Sequence, residues 1–89
     1  MKNPLLSIII PTHNRPQLVL RAEKRALEQP MEDLEVIVVD DASQTPPQLP
    51  QDSRVRMIRL PQLLGGAAAR NIGTQAARSR WVTYLDDDD

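Results

Sequence analysis

The chain contains no cysteine, so neither disulfides nor thiolate-held metals support its fold. Phenylalanine is absent and Trp81 and Tyr84 are the only aromatics, too few for the stacking platforms of a single-strand nucleic-acid surface. Charge of one sign is missing too: 11 basic residues against 12 acidic ones leave a net −1. No field of that size gathers nucleic acid or anionic lipid, and nucleic acid is not an expected partner. The longest apolar runs, Leu5-Leu6 with Ile8-Ile9-Ile10 and Val36-Ile37-Val38-Val39, fall far short of the roughly 20 residues of a membrane helix. The first of them enters Pro11-Thr12-His13-Asn14-Arg15 without a small-residue cleavage site, so it does not read as a secretory signal. A cytoplasmic chain is expected, with membrane association left open for a longer protein. At 89 residues it makes one small domain or part of a larger one. A chain of this size buries only about 60–65% of its unfolded surface, so its own core is thin.

What is present is a regular alternation. Apolar runs at residues 5–10 and 34–39 are β-branched and nearly continuous, as in parallel strands covered on both faces. The run at 55–60 alternates and reads as a strand at the sheet's edge, and a fourth run covers 81–85. Between the first two, residues 16–29 place Pro16 in a first helical turn and Leu18, Val19, Ala22, Ala26 and Leu27 on one face. Between the last two, residues 67–78 form an alanine-rich helix with Ala69, Ile72, Ala76 and Ala77 inward, and Gly73 permits close packing on the sheet. Pro46, Pro47 and Pro50 make 43–53 a surface loop. Strand, helix, strand, loop, strand, helix, strand predicts an α/β fold: a mainly parallel sheet of about four strands with flanking helices and right-handed crossovers.

Polar clusters follow three of the strands: Pro11-Thr12-His13-Asn14-Arg15-Pro16, Asp40-Asp41-Ala42-Ser43 and Asp86-Asp87-Asp88-Asp89. Parallel strands end on one edge of a sheet, which is where open α/β sheets bind ligands. Carboxylates and an arginine gathered there need both a cation and an anion, and a metal-bound nucleoside diphosphate supplies both. On an extended backbone Asp86 and Asp88 face one way and Asp87 and Asp89 the other. Paired carboxylates repel unless a hard divalent cation lies near them, and oxygen ligands favour Mg2+ or Mn2+. The plain alternative is a solvated acidic turn. Asp40 and Asp41 fit ordinary turn chemistry as well as a hydrogen bond to a base or ribose. Arg15 is either a surface charge or a phosphate partner, held where a helix's positive end makes a cation mildly unfavourable. Gly65-Gly66 is either a flexible entry turn or a place where phosphate meets helix amides. Arg70, one turn into that helix, either reaches the ligand or faces solvent. His13, the only histidine, has no nucleophile beside it and reads as a structural or stacking group.

Taken in order, Leu6-Ser7-Ile8-Ile9-Ile10-Pro11-Thr12-His13-Asn14-Arg15, Glu35-Val36-Ile37-Val38-Val39-Asp40-Asp41-Ala42-Ser43, Gly65-Gly66-Ala67-Ala68-Ala69-Arg70-Asn71-Ile72-Gly73 and Tyr84-Leu85-Asp86-Asp87-Asp88-Asp89 resemble the start of a family 2 glycosyltransferase of the GT-A fold. The resemblance covers nearly the whole chain. It implies a Rossmann-like half of that fold, binding a nucleotide-diphosphate sugar, UDP-sugar first, with Mn2+ or Mg2+, for inverting transfer to a sugar or lipid-linked acceptor. It places Pro11, His13 and Arg15 in the loop bordering the nucleotide, Asp41 at the base with Asp40 beside it, and Arg70 near the base or diphosphate. Asp86 to Asp88 become the DxD element, with Asp86 and Asp88 as metal ligands, Asp88 the more direct, and Asp86 or Asp87 near the ribose. One departure is His13, where the family has tyrosine; the ring keeps a stacking face of smaller area. The family's catalytic base and acceptor site lie beyond residue 89, so residues 1–89 are expected to be a portion cut after the DxD motif and inactive alone. The fourth strand is then an exposed edge, and a homodimer through it is expected.

A non-catalytic nucleotide-binding or regulatory module is the alternative. A receiver domain is disfavoured because Leu60-Pro61-Gln62 follows the third strand where a phosphorylatable aspartate is needed, and no lysine follows Lys24. Dinucleotide and Walker-type glycine patterns are both missing.

Overall fold

The structure is a computed structural model and describes residues 4–31 and 33–88. Asp89, and with it the expectation that it shares a side with Asp87, falls outside the described residues. The elements run β1 (Leu6–Thr12), α1 (Pro16–Leu27), β2 (Leu34–Asp41), β3 (Val55–Leu60), α2 (Gly66–Ala76) and β4 (Trp81–Tyr84). The strands form one parallel sheet in the order β3-β2-β1-β4, the α/β arrangement expected from the alternation. The chain moves outward from β1 to β3 and then returns across the sheet to β4. A crossover of constant hand must therefore put α2 on the face opposite α1.

The two faces carry two cores. Ile8, Ile10, Val36 and Val38 pack under Val19, Ala22 and Ala26 of α1, whereas Ile9, Ile37 and Val39 pack under Ala69 of α2. Every residue of β2 is buried, which is why its sequence shows no alternation. β3 lies at one edge and alternates, as its sequence predicts. Gly73 is buried against the sheet, and a Cβ built there would lie 2.5 Å from Ile9 Cγ2 and 3.1 Å from Val39 Cγ2. The inference that it allows close packing holds.

Several local expectations are corrected. β1 runs on through Pro11 to Thr12, paired with β2 from Leu6↔Leu34 to Thr12↔Asp40. Proline is tolerated here because of where β1 and β4 part. Leu85 N–H donates to the Ile9 carbonyl at 3.0 Å, so Ile9 turns its polar atoms towards β4, and Pro11, two residues on, does the same. The next rung of that ladder needs an N–H at position 11, and proline has none.

Helix α2 stops at Ala76, with Ala77 extended. Arg56 takes the Ala76 carbonyl, and the Arg78 amide goes to Glu35 Oε2 at 2.7 Å. Ser7 Oγ also donates to Glu35 Oε2, at 2.6 Å, and Arg56 Nη2 lies 3.2 Å from Oε1. Burial alone raises the Glu35 pKa, but these donors and the Arg56 charge outweigh it and hold the carboxyl below its ordinary range. β4 is shorter than expected and mostly exposed, because β1 alone flanks it; Trp81 is 64% exposed. On α1 the buried face includes Glu23, absent from the expected apolar stripe.

Candidate functional site

Sheet order reverses between β1 and β4, and the cleft that opens at their ends is lined by Pro11, Thr12, His13, Arg15, Asp41, Gly66, Ala69, Arg70, Asp86, Asp87 and Asp88. Its volume is about 330 Å3. Each cluster singled out in the sequence contributes, so the strands do bring them together.

The loop after β1 is fastened to the loop after β2. His13 Nδ1 bonds the Asp41 carbonyl and its Nε2 lies 3.1 Å from Asn14 Nδ2. Those partners require the proton on Nδ1 and leave both nitrogens engaged, so the ring offers a face and not a free base. Asn14 has a left-handed φ of 54°, accepts from the Gln44 amide at 2.8 Å and donates its own amide to Ser43 Oγ at 2.8 Å. Asp40, expected beside the nucleotide, is fully buried and does not line the cleft. Its Oδ1 accepts from the hydroxyl and amide of Ser43, and its Oδ2 faces Arg59 Nε at 3.5 Å, near enough for ion pairing without an aligned hydrogen bond. It supports the turn that aims Asp41.

Asp41 accepts from the Leu64 and Gly65 amides, at 2.8 Å each. This carboxylate thus fixes the entry to α2. Gly65 adopts a φ of 96°, which needs glycine, although open space would admit a Cβ. Gly65, the N-cap, has no side chain to cap α2 and no acidic residue sits in its first turn; Asp41 takes the amides of Leu64 and Gly65, and the first-turn amides from Gly66 on face the cleft.

The acidic run leaves the sheet after Tyr84 and turns at Asp87 and Asp88. Asp87 points inward: its side chain is 9% exposed, Thr12 Oγ1 donates to Oδ2 at 2.8 Å and Arg15 Nη1 donates to Oδ1 at 3.1 Å. Asp86 and Asp88 are 55% and 57% exposed. Arg70 Nη2 lies 3.4 Å from Asp86 Oδ1, and Arg15 Nη1 lies 3.6 Å from Asp88 Oδ2. The inward–outward split expected of an extended run is therefore kept at Asp86, Asp87 and Asp88 despite the turn.

Among the described residues no three acidic or histidine side chains converge as a metal cage. A cation of the Mg2+ class takes one or two carboxylates and completes its shell with water and phosphate. Exposed Asp86 and Asp88, each with a single arginine contact, can supply such ligands.

Thr12 and Ser43 stand in the polar clusters of the sequence with no role assigned to them, and Arg59 stands outside those clusters. Asp40-Asp41-Ala42-Ser43 carries a signal for Ser43, since aspartate side chains commonly bond a few residues ahead in turns. Thr12 and Arg59 act on partners distant in sequence and have no local signal.

A family model described as Glycosyl transferase family 2 matches residues 7–89. The succinoglycan biosynthesis protein ExoO of Rhizobium meliloti (strain 1021) is 40% identical over 92 residues, spanning 99% of this chain and 26% of that protein. Staphylococcus aureus TarS 1-349, solved with UDP-GlcNAc, matches with a TM-score of 0.78 and 23% identity over 94% of this chain and 26% of that one. The mannosyltransferase PcManGT from Pyrobaculum calidifontis, solved with GDP-Man and Mn2+, matches with a TM-score of 0.77 and 24% identity over 98% of this chain and 28% of that one. These two share the fold. The chain spans 26% to 38% of the length of the first curated relatives it matches. The ordered motifs, the GT-A type sheet and the family match agree: this chain belongs to glycosyl transferase family 2.

Proposed function

We propose that the chain is the nucleotide-sugar-binding part of an inverting, metal-dependent glycosyltransferase. Its donor is a nucleoside-diphosphate sugar, UDP-sugar first, and its acceptor a sugar or lipid-linked sugar. The observation that carries the reading is one cleft in which Arg15, Arg70 and the open end of α2 offer sites for a diphosphate beside the exposed carboxylates of Asp86 and Asp88. Support comes from the two structural neighbours, solved with UDP-GlcNAc and with GDP-Man and Mn2+.

In this reading Pro11 and the His13 face border the base, and Asp41 accepts from it with lone pairs left over from Leu64 and Gly65. Asp40 acts from below, by holding Ser43. Asp86 lies towards the ribose and shares the cation with Asp88, the more direct ligand. Asp87 braces the run against Thr12. A divalent cation bound there supplies positive charge against the leaving diphosphate. Arg15 and Arg70 add theirs, which favours the state in which phosphate charge develops. No residue of this chain is assigned as catalytic base. That group and the acceptor site are proposed to belong to the share of the relatives' length that this chain does not span, in a cytoplasmic enzyme.

The test is calorimetric titration with UDP, with and without Mn2+, on the wild type and Asp88→Asn. Metal-dependent binding that is lost in Asp88→Asn is expected. Equal binding by both proteins sinks the assignment of Asp88. The exposed β4 edge, with Trp81 and Tyr84 outside, is further proposed to pair with a second copy; a monomer by light scattering at high concentration rejects that.

A further inference from the structure

The guanidinium of Arg15 sits on the wrong charge for a phosphate ligand. One nitrogen, Nη1, lies 3.1 Å from Asp87 Oδ1 and 3.6 Å from Asp88 Oδ2. Nothing in its own helix favours this placement: Arg15 is the N-cap of α1, next to the positive end of the helix dipole, and it makes no side-chain capping bond. The carboxylates hold it there. The two contacts differ in kind. Asp87 is inward and also tied to Thr12, so its position does not depend on Arg15. The Asp88 contact is longer and lies between two half-exposed side chains, so it is readily exchanged.

We propose that Arg15 is a placeholder for the cation, and that its transfer from Asp88 to the diphosphate couples cation binding to nucleotide binding. The inference rests on the proposed function of the cleft and adds to it the order in which charges change partners. A cation on Asp88 would sit about 2 Å from the oxygen that Arg15 now faces at 3.6 Å, and two positive charges sharing one carboxylate repel. The guanidinium must therefore leave Asp88 when the cation arrives. Bound diphosphate is then the nearest anion for its donor fork, which suits phosphate oxygens. Either ligand alone breaks the Arg15–Asp88 contact without full compensation. Together they share that loss, so each tightens the other, and the tightening is reciprocal. Arg70 on Asp86 repeats the arrangement with one carboxylate in place of two.

The experiment follows free Mn2+ by electron paramagnetic resonance and UDP or uridine by calorimetry. The proteins are the wild type, Arg15→Gln, Arg15→Lys and Arg21→Gln. Arg21 is exposed on α1, outside the cleft, and controls for the loss of one charge. Circular dichroism confirms that each variant is folded. Arg15→Gln is expected to bind Mn2+ alone about 3- to 5-fold more tightly, since its competitor is gone. The same variant should bind UDP with Mn2+ about 10-fold more weakly, within the usual range of coupling between sites, and leave uridine binding unchanged. Arg15→Lys should recover part of the coupling and Arg21→Gln should match the wild type. Arg15→Gln that binds Mn2+ alone no more tightly than Arg21→Gln does, in a wild-type background that binds both Mn2+ and UDP, overturns the placeholder role only. A folded wild type that binds neither overturns the proposed cleft function and the inference with it.

Discussion

Replacing Gly73 by alanine sets two effects of known size against each other. Within a helix, alanine is favoured over glycine by about 1 kcal/mol, so propensity alone predicts a more stable protein. Packing predicts the reverse. The added Cβ would lie 2.5 Å from Ile9 Cγ2 and 3.1 Å from Val39 Cγ2, both on strands in the middle of the sheet. Ile9 and Val39 are fully buried and β-branched, so neither side chain can turn aside without meeting another core group. Relief has to come from lifting α2, which also displaces Ala69 from its fully buried seat. Overpacking of this kind costs about 1–3 kcal/mol, and a contact this short belongs at the upper end. The net expectation is a loss of about 1–2 kcal/mol, or some 5–15 °C in Tm for a domain of this size. Thermal unfolding followed by far-UV circular dichroism reads it directly. Ile9→Ala in the Gly73→Ala background should be less damaging than Ile9→Ala alone, because the new methyl fills part of the space opened. A Tm equal to or above wild type for Gly73→Ala would refute the reasoning, since propensity would then have won.

Two further expectations concern buried carboxylates with opposite signs. Glu35→Ala strands the Arg78 amide, leaves Ser7 with Ser79 alone and Arg56 with the Ala76 carbonyl alone, and should lower stability by about 2 kcal/mol at pH 7 in urea unfolding. Because the folded Glu35 pKa is lowered, its contribution is complete above the ordinary value of 4.5 and fades as pH falls through the lower folded value; a wild-type/variant gap that stays constant from pH 7 to pH 2 contradicts this. Glu23 behaves oppositely: burial, then the charge of Asp52, raises its pKa, and its Oε2 has no hydrogen-bond partner. Its charge is thus a penalty above the raised folded value that disappears below 4.5, so Glu23→Gln should gain about 1 kcal/mol at pH 7 and nothing at pH 4. A variant less stable than wild type at pH 7 would show that an uncounted partner holds Glu23.

The strands and their order of burial were legible because period and length decide them locally. Val36 to Val39 has no polar residue to present to solvent, and Arg56, Met57 and Arg59 mark β3 as an edge. The convergence of the polar clusters followed from parallel connectivity alone. What stayed hidden depends on partners far along the chain. Nothing near Ala76 ends α2; Arg56 and Glu35 do, from 20 and more residues away. Asp40 and Asp41 are neighbours in sequence, yet alternation sends one under the loop and the other to the amides of Leu64 and Gly65. Glu23 broke the apolar stripe of α1 because composition gives no sign that a carboxylate will be covered.

The missing N–H of Pro11 reaches further than the tolerance of proline in β1. Two parallel strands left side by side tend to zip until one of them runs out of donors, and a closed seam has no room for a ligand. Here the seam ends at the bond from Leu85 to Ile9, and the rung beyond it cannot form whatever side chains follow. The acidic run is thereby released from the sheet and free to turn at Asp87 and Asp88. The opening between β1 and β4 is thus a property of the main chain. Side chains around its rim can change without shutting it, whereas an amide at position 11 would offer the strands a reason to close.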